Sequence, residues 1–448
     1  MARFAVIGAG IAGLSAAWEL EAAGQDVVVF EAAREIGGKL QHSTVRGLTF
    51  PIEDGADAFL ARVPDALELC AQIGIDELDH PATGDAWVWS GDQLHPLPKA
   101  QLLGLPTDLD ALAASGLVSP DAVARAAADL DSDAPPLTED VSVGRLVRDR
   151  LGDEVCDHLV EPLLGGINGG EADGLSLRAC APQIWACAAQ GGSLIRAAAE
   201  VKARTAPSDA PVFAAPSEGM ASLPRRLADH LRAEIRFATV VPPLSVRSNE
   251  VRVDDTDFAG VVIATAADVA GPLVARVAHE AAATLEATEY ASVVMVTVVA
   301  RADSVDHPLD GSGVVVARDA GLSITACSFG SSKWERWDDG RHVVFRISLG
   351  HDGDPVDWCT LSDEDLTSIA LADLGQLLGV PVPPVGVRVG RWARSFPQYR
   401  PGHLERVADV RSALDDAGPV AVAGMSYDGI GVPACIRSGR TQARRLLG

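Results

Sequence analysis

The sequence lacks the usual signs of a disulfide-rich, zinc-binding or membrane-spanning protein. Its seven cysteines are scattered and odd in number, and no CxxC pair occurs, so neither a disulfide framework nor a zinc site is indicated. We therefore expect reduced thiols, a cytoplasmic protein and no bound metal. Apolar runs such as residues 291–300 are about half as long as the roughly twenty residues that a spanning helix needs. An apolar strand pattern that begins at residue 4 leaves no room for a signal peptide before the fold.

Basic residues are also few. The chain has 62 acidic and 37 basic residues, which gives a net charge of −25. A charge of this sign argues against nucleic acid or an anionic membrane surface as a general partner. An anionic substrate would need a local basic pocket against that background. The length of 448 residues and the hydrophobic content of 48% predict a globular protein of about two or three domains.

The sequence does contain a dinucleotide-binding pattern near its start. An apolar strand over residues 4–7 precedes GAGIAG, a helical run follows, and a second strand ends at Glu31. In such a turn Gly8 permits the tight bend, Gly10 lets the main chain approach a pyrophosphate, and Gly13 lets the helix pack on the strand. The helix N-terminus offers N–H groups to phosphates, and Glu31 is placed to accept hydrogen bonds from ribose hydroxyls.

A second glycine pair, Gly37-Gly38, follows shortly and is joined to Lys39. An acidic residue followed by GGK is similar to the FAD-binding fingerprint of the amine oxidase and porphyrinogen oxidase superfamily, and plain NAD dehydrogenases do not usually carry it. The sequence therefore predicts FAD as the cofactor. The contacts predicted in this region are Gly8, Ala9, Gly10, Ile11, Ala12, Gly13, Glu31, Ala32, Gly38 and Lys39.

The rest of the chain alternates between helical and strand patterns. Residues 86–98 predict a hairpin, residues 100–201 predict a helical region, and an apolar strand at residues 259–265 returns to the nucleotide domain. Near the end of the sequence a strand, a glycine-rich turn and a helix can aim another helix N-terminus at the cofactor. An antiparallel sheet in a separate substrate domain is predicted from apolar and β-branched runs at residues 290–300, 313–318, 322–328 and 343–349.

Residues 161–170, EPLLGGINGG, stand out because four of the last six are glycine. Each glycine costs about 1 kcal/mol in a helix interior, so we predict that this segment is not a stable helix. Main chain pressed against something flat or bulky is one interpretation, and a flexible loop is the other. Residues 203–211 predict a linker.

Six motifs, in order along almost the whole chain, resemble the FAD-dependent protoporphyrinogen and coproporphyrinogen oxidases of haem synthesis. The chain departs from the pattern of that family at Asn168, where an aromatic is usual, and at residues 55–58, where GADA replaces GPDS; both departures affect the local shape of the pocket. The six motifs are VWSGDQLHPLP, GLPTDL, EPLLGGINGG with LSLRACAPQ behind it, TACSFGSSKW, RWARSFPQYRPGHLERV and YDGIGVPACIRSG.

The resemblance implies a fold like that of monoamine and polyamine oxidases, α/β or α+β overall. A Rossmann-like FAD-binding domain would be assembled from discontinuous segments, beside a mixed-sheet substrate domain and a helical insertion. The implied division is residues 1–47, 212–275 and 407–448 for FAD, 48–99 and 276–406 for substrate, and 100–211 for the insertion. The further FAD contacts that it implies are Gly55, Ala56, Asp57, Ala58, Val241, Trp392, Gly429, Ile430 and Gly431.

The resemblance also implies a reaction, the oxygen-dependent six-electron oxidation of a porphyrinogen with release of hydrogen peroxide. Hydride would pass from a methylene carbon to flavin N5, so no dedicated catalytic side chain is predicted. Relatives without membrane segments generally use the coproporphyrin-dependent route, which favours coproporphyrinogen III, with protoporphyrinogen IX as the alternative. The substrate contacts predicted from the motifs, including cations for propionates, are Arg62, Gly169, Phe329, Lys333, Arg336 and Arg394.

Other partners and functions stay open at this point. The expected partners are a porphyrinogen and dioxygen, whereas peripheral membrane contact through residues 100–200 and docking to another haem-pathway enzyme are left open. A flavin amine oxidase with another substrate is a competing function. A non-enzymatic binder of the same fold is a second, although the intact GGK and the C-terminal turn argue against it.

Overall fold

A computed structural model describes residues 2–204 and 211–448. Its centre is a five-stranded parallel sheet, in which all strands but the edge strand Glu234–Arg236 are short apolar runs that are mostly buried, as is usual for parallel sheets. The strands come from well-separated stretches of the chain, which confirms the predicted fold class. From one edge to the other they are Glu234–Arg236, Asp26–Phe30, Arg3–Ile7, Gly260–Ile263 and Val420–Val422.

Helices cover both faces of this sheet. One face packs against what we call the first helix, Ile11–Ala22, and the last helix, Val432–Leu447, together with Ser222–His230. The opposite face packs against Ala267–Val274, His279–Glu286 and His403–Ala417.

The helix His279–Glu286 lies with the five-stranded sheet, although the predicted division assigns its residues to the substrate domain. Its Ala281 and Leu285 are buried in the same core as the sheet. The helix packs closely against the preceding helix, Ala267–Val274. A Cβ on Gly271 would lie only 2.5 Å from Cγ of Glu286.

A seven-stranded sheet forms the second half of the fold. The predicted hairpin is confirmed and supplies its last two strands. The four runs predicted as strands pair antiparallel with one another, and the hairpin joins them through one parallel pair, which makes the sheet mixed, as the resemblance implies. In spatial order its strands are Pro384–Pro397, Tyr290–Arg301, His342–Leu349, Ile324–Phe329, Gly313–Val316, Trp87–Ser90 and Gln93–Pro96.

The smaller elements connect and cover these two sheets. The helix Asp363–Leu378 packs on one face of the seven-stranded sheet. The short strands are His42–Thr44, Pro51–Glu53, Phe59–Leu60, Leu78–Asp79, Gln101–Leu102, Leu105–Pro106, Phe213–Pro216, Ser245–Arg247, Glu250–Val253 and Thr256–Phe258. The other α-helices outside the insertion are Pro64–Gln72 and Gly330–Lys333, and the 3-10 helices there are Ala302–Ser304, Glu335–Trp337 and Trp358–Thr360.

The predicted helical insertion is indeed helical, and it has its own apolar core. Its helices are Leu109–Ser115, Pro120–Ala127, Val143–Leu151, Asp153–Val155, the π-helix Cys156–Val160, Glu161–Asn168, Leu177–Cys180, Pro182–Ala188 and Leu194–Arg204. Most of the predicted linker lies outside the described residues. Within residues 2–204 and 211–448, no helix combines the length and the apolar character needed to cross a bilayer.

The segment Glu161–Asn168, which we call the glycine helix, contradicts the prediction that it could not be helical. Tertiary packing offsets the low propensity of its glycines: Leu164 is buried, and a Cβ on Gly165 would lie 3.1 Å from the carbonyl oxygen of Gly170. The helix ends at Gly169, whose φ of +59° suits glycine.

Candidate active site

The turn after the first strand brings three glycines together, and they differ in their surroundings. A Cβ on Gly13 would lie 1.9 Å from the carbonyl oxygen of Gly8, and one on Gly8 would lie 2.8 Å from that of Ala264. Both glycines are therefore required by packing. A Cβ on Gly10 would meet nothing within 4 Å. The open face at Gly10, next to the N-terminus of the first helix, is where a ligand can approach the main chain.

Glu31 lies where the second strand leaves the sheet and holds this turn. Its carboxylate accepts hydrogen bonds from the N–H of Ala9 at 2.6 Å and of Ala33 at 2.8 Å. It also lines what we call the smaller cavity, of about 300 Å³, with Gly38 and Trp392. The carboxylate predicted to bind ribose therefore faces a cavity and also orders the main chain beside it.

The last helix approaches the first one very closely. A Cβ on Gly439 would lie 2.0 Å from the carbonyl oxygen of Ala12, and the turn at Gly424 also reaches Ala12. Gly431 is the N-cap of the last helix, so the predicted contacts at residues 429–431 lie at its N-terminus. Two helix N-termini in one region favour an anionic ligand.

Lys39 is a partly buried cation close to this region. Its Nζ donates to the carbonyl oxygen of Ser395 and lies 2.8 Å from Sδ of Met425. No carboxylate of the described residues lies within ion-pair distance of it, and burial lowers its pKa to about 8. A buried ammonium without a counter-ion is costly. An anionic group of a ligand would supply the missing charge.

Residues 53–57, EDGAD, form the wall between the smaller cavity and a larger one. Asp54 lines the smaller cavity and is bound by Arg388, whose Nε lies 2.7 Å from Oδ1. Asp57 lines the larger cavity. A Cβ on Gly55, between them, would lie 2.4 Å from the carbonyl oxygen of Lys39 and 3.6 Å from the ring of Trp392. The loop thus joins several predicted cofactor contacts to the second cavity.

The larger cavity, of about 440 Å³, lies between the seven-stranded sheet and the glycine helix. Its size is within the range of small-molecule sites. Much of its wall is apolar, and a Cβ on Gly169 would lie 3.2 Å from the ring of Phe396, so ring and helix meet closely there. The apolar lining includes Val293, Met295, Val316, Ile324, Trp358 and Phe396.

One buried wall of the larger cavity carries Asp57 with two cations. Nζ of Lys333 lies 3.0 Å from the carboxylate and Nη1 of Arg346 lies 3.3 Å from it. The indole N–H of Trp334 donates to the same carboxylate at 3.1 Å. Burial alone would raise the pKa of Asp57, but the two neighbouring positive charges hold it well below its usual range. The carboxylate is therefore ionised at neutral pH.

The other side of the cavity carries Arg318. Its Nε donates to Glu161 at 2.6 Å, and its Nη atoms donate to Glu171 at 3.2 Å, to the carbonyl oxygen of Gly170 at 2.9 Å and to His351. Burial raises the pKa of Glu161 in spite of this partner. Arg318 ties the glycine helix to the sheet.

The structure brings together only part of the predicted substrate contacts. Gly169 and Lys333 line the larger cavity. The other four do not line it. Phe329 is a buried core residue, and Arg62 is exposed on the loop before the helix Pro64–Gln72. Arg336 and Arg394 form ion pairs with acids outside the cavity.

The two arginines are placed by long-range pairs that local sequence does not show. Arg336 is bound between Glu53 and Asp79, with both distances 3.4 Å. Arg394 pairs with Asp268 at 2.9 Å.

Sequence reasoning missed two cations and a histidine of the larger cavity, Arg318, Arg346 and His351. The available signal for Arg346 was a charge inside an otherwise apolar strand pattern, which is rare unless the charge is paired.

Of the remaining cofactor candidates, Val241 is buried in the core against the five-stranded sheet. The indole N–H of Trp392 donates to the carbonyl oxygen of Asp54 at 3.1 Å. Within the described residues, no group of three or more His, Cys, Asp or Glu side chains is arranged to hold a metal ion.

Comparison with known proteins decides the family. Residues 11–447 match the model of the family described as flavin containing amine oxidoreductase. The chain belongs to this family. It is an FAD-dependent oxidoreductase, and its cofactor is FAD, as predicted.

The relatives of this flavin amine oxidoreductase also confirm the resemblance to porphyrinogen oxidases. Coproporphyrinogen III oxidase of Bacillus subtilis is 32% identical, over 99% of this chain and 97% of the relative. The Mycobacterium leprae protein of the same name is 36% identical, over 97% and 95%. A solved structure from Exiguobacterium sp. 255-15, proposed to be a protoporphyrinogen oxidase, has a TM-score of 0.87 and 31% identity, over 99% and 98%.

Proposed function

We propose that this enzyme oxidises coproporphyrinogen III to coproporphyrin III with dioxygen as the final electron acceptor. The observation that carries the proposal is the full-length similarity to two coproporphyrinogen III oxidases. The macrocycle would lose six electrons and six protons in three steps, and three molecules of dioxygen would become three of hydrogen peroxide. FAD, when bound, supplies the hydride acceptor and passes the electrons on to dioxygen.

We also propose how the chain holds FAD. The open main chain at Gly10 and the N-termini of the first and last helices would bind the diphosphate, and Lys39 would balance its charge. Glu31, in the smaller cavity, would accept hydrogen bonds from the ribose. Trp392 and the loop at residues 53–57 would then line the cofactor site where it adjoins the larger cavity.

The larger cavity would hold the porphyrinogen, and its side chains would act by placement. The apolar part of the wall would accommodate the macrocycle. Asp57, Glu161 and His351 line the cavity, but each is already engaged in hydrogen bonds or ion pairs. Proton loss from ring nitrogens to solvent therefore fits the site without a dedicated base.

Protoporphyrinogen IX is the alternative substrate, because the similar Exiguobacterium structure is proposed to act on it. The first test is an aerobic assay of FAD-loaded enzyme for porphyrin fluorescence and hydrogen peroxide, with each porphyrinogen and with a panel of amines. Porphyrin formation above the spontaneous rate supports the proposal. Peroxide with amines but not with either porphyrinogen would show an amine oxidase instead, and purified protein without flavin would favour a non-enzymatic binder.

Dioxygen as the acceptor and a cytoplasmic location stay predictions. Stoichiometric peroxide formation tests the first, and recovery from the supernatant after cell breakage without detergent tests the second.

A further inference from the structure

The buried wall of the larger cavity holds more positive than negative charge. Lys333 and Arg346 share the single carboxylate of Asp57, and all three side chains are largely buried. The second contact of Arg346 is the neutral carbonyl oxygen of Gly55, and its Nε has no hydrogen-bond partner among the described residues. Of the side chains that line the cavity on this wall, two are cations and one is a carboxylate.

The neighbouring acids do not add a carboxylate to this lining. Glu53 and Asp79 are both bound to Arg336 behind this wall, which gives two carboxylates to one cation there, but neither acid lines the cavity or lies within ion-pair distance of Lys333 or Arg346. The guanidinium of Arg336 also lies over the ring of Trp334, with 4.2 Å between its Cζ and the ring centroid.

The opposite wall offers no comparable charge. Arg318 is surrounded by two carboxylates, Glu161 and Glu171, a carbonyl oxygen and His351. Asp354 adds a further acid to the lining on that side. Among the described residues that line the cavity, the pair Lys333 and Arg346 is therefore the place where cations outnumber carboxylates.

We propose that Lys333 and Arg346 form the recognition site for one propionate of the substrate, with Asp57 as the residue that positions both cations. This inference rests on the proposed function, because it assigns an orientation to that substrate. A propionate placed there would match two cations with two carboxylates, which is the arrangement that stabilises buried charge. The substrate edge that bears it would then face residues 53–57, and the macrocycle would lie against Met295 and Phe396.

The test measures binding of coproporphyrin III, which cannot turn over, to the FAD-loaded enzyme by quenching of porphyrin fluorescence. The tetramethyl ester of the same porphyrin is the second probe, because it has the same ring but no carboxylates. The variants are Lys333→Gln, which removes the charge, Lys333→Arg, which keeps it, and Lys99→Gln, which removes an exposed lysine charge outside the cavity. Bound flavin and thermal unfolding show that each variant is folded.

We expect Lys333→Gln to weaken coproporphyrin III binding by about tenfold or more, as for loss of a charge-assisted hydrogen bond, and to leave binding of the ester unchanged. Lys333→Arg should restore most of the affinity, and Lys99→Gln should match the wild type. If the wild type binds coproporphyrin III and Lys333→Gln binds it equally well, the inference is wrong. Equal weakening of both probes would also refute it, since the effect would not be one of charge. Failure of the wild type both to bind coproporphyrin III and to oxidise coproporphyrinogen III would instead refute the proposed function.

Discussion

Replacing Lys39 with Met should change the stability of the FAD-free protein and its affinity for FAD in opposite directions. The substitution keeps the length of the side chain and removes a partly buried charge that has no carboxylate partner within ion-pair distance in the described chain. We expect it to stabilise the FAD-free protein and to weaken the binding of FAD. Both effects follow from one assignment, that the ammonium is the counter-ion of an anionic part of the cofactor.

The magnitude follows from the pKa of Lys39. Burial lowers this pKa from 10.5 to about 8, and the difference corresponds to a cost of about 3 kcal/mol for the charged form in the folded chain. The unfolded chain binds the proton more tightly, so the free energy of unfolding rises with pH between about 8 and 10.5, and the full cost is present below that window. The carbonyl oxygen of Ser395 loses its donor in the variant, which costs about 1–2 kcal/mol and offsets part of the stability gained by removing the charge. A net gain of about 1–2 kcal/mol at neutral pH remains.

The assay is urea unfolding of the FAD-free protein, followed by tryptophan fluorescence, together with titration of FAD. FAD affinity should fall about ten- to a hundredfold, as for loss of a charged hydrogen bond. Lys99→Met is the matched control, because Lys99 is exposed with Asp85 at 2.7 Å, and it should change neither quantity. A Lys39→Met protein that is less stable without FAD, or that binds FAD as tightly as the wild type, would refute the assignment.

Three further predictions concern single residues. Glu31→Ala should weaken FAD binding by about 1–3 kcal/mol, measured by equilibrium dialysis, and full flavin occupancy would contradict the ribose assignment. Gly13→Ala should lower the thermal stability of the FAD-free protein, because the new Cβ would lie 1.9 Å from an oxygen, whereas Gly10→Ala, with nothing within 4 Å, should impair FAD binding alone. Burial lowers the pKa of His403 from 6.5 to about 4, so stability should fall as pH drops through that window, and His403→Gln should flatten this dependence in urea unfolding at several pH values.

The nucleotide half could be predicted from the sequence because its signals are local. The turn at Gly8 to Gly13 and the acid at Glu31 lie within one strand–helix–strand unit, where spacing alone determines what comes together. The hairpin at residues 86–98 could be predicted for the same reason.

The larger cavity could be predicted only in part, because pairs distant in sequence assemble it. Asp57 meets Lys333 and Arg346 only when the loop at residues 53–57 docks on the seven-stranded sheet. The motifs predict Arg336 and Arg394 as substrate contacts, but each of them forms an ion pair with an acid that is distant in sequence. The glycine helix shows the same limit, since contacts with the rest of the fold outweigh its poor propensity.

The most direct test of the central claim is kcat/KM of the FAD-loaded enzyme for coproporphyrinogen III and protoporphyrinogen IX in matched buffer. We expect a preference for coproporphyrinogen III of about tenfold or more, because a cation left without its carboxylate costs about 1–3 kcal/mol. A preference of the same size for protoporphyrinogen IX, or no turnover of either compound above the spontaneous rate, would contradict the account.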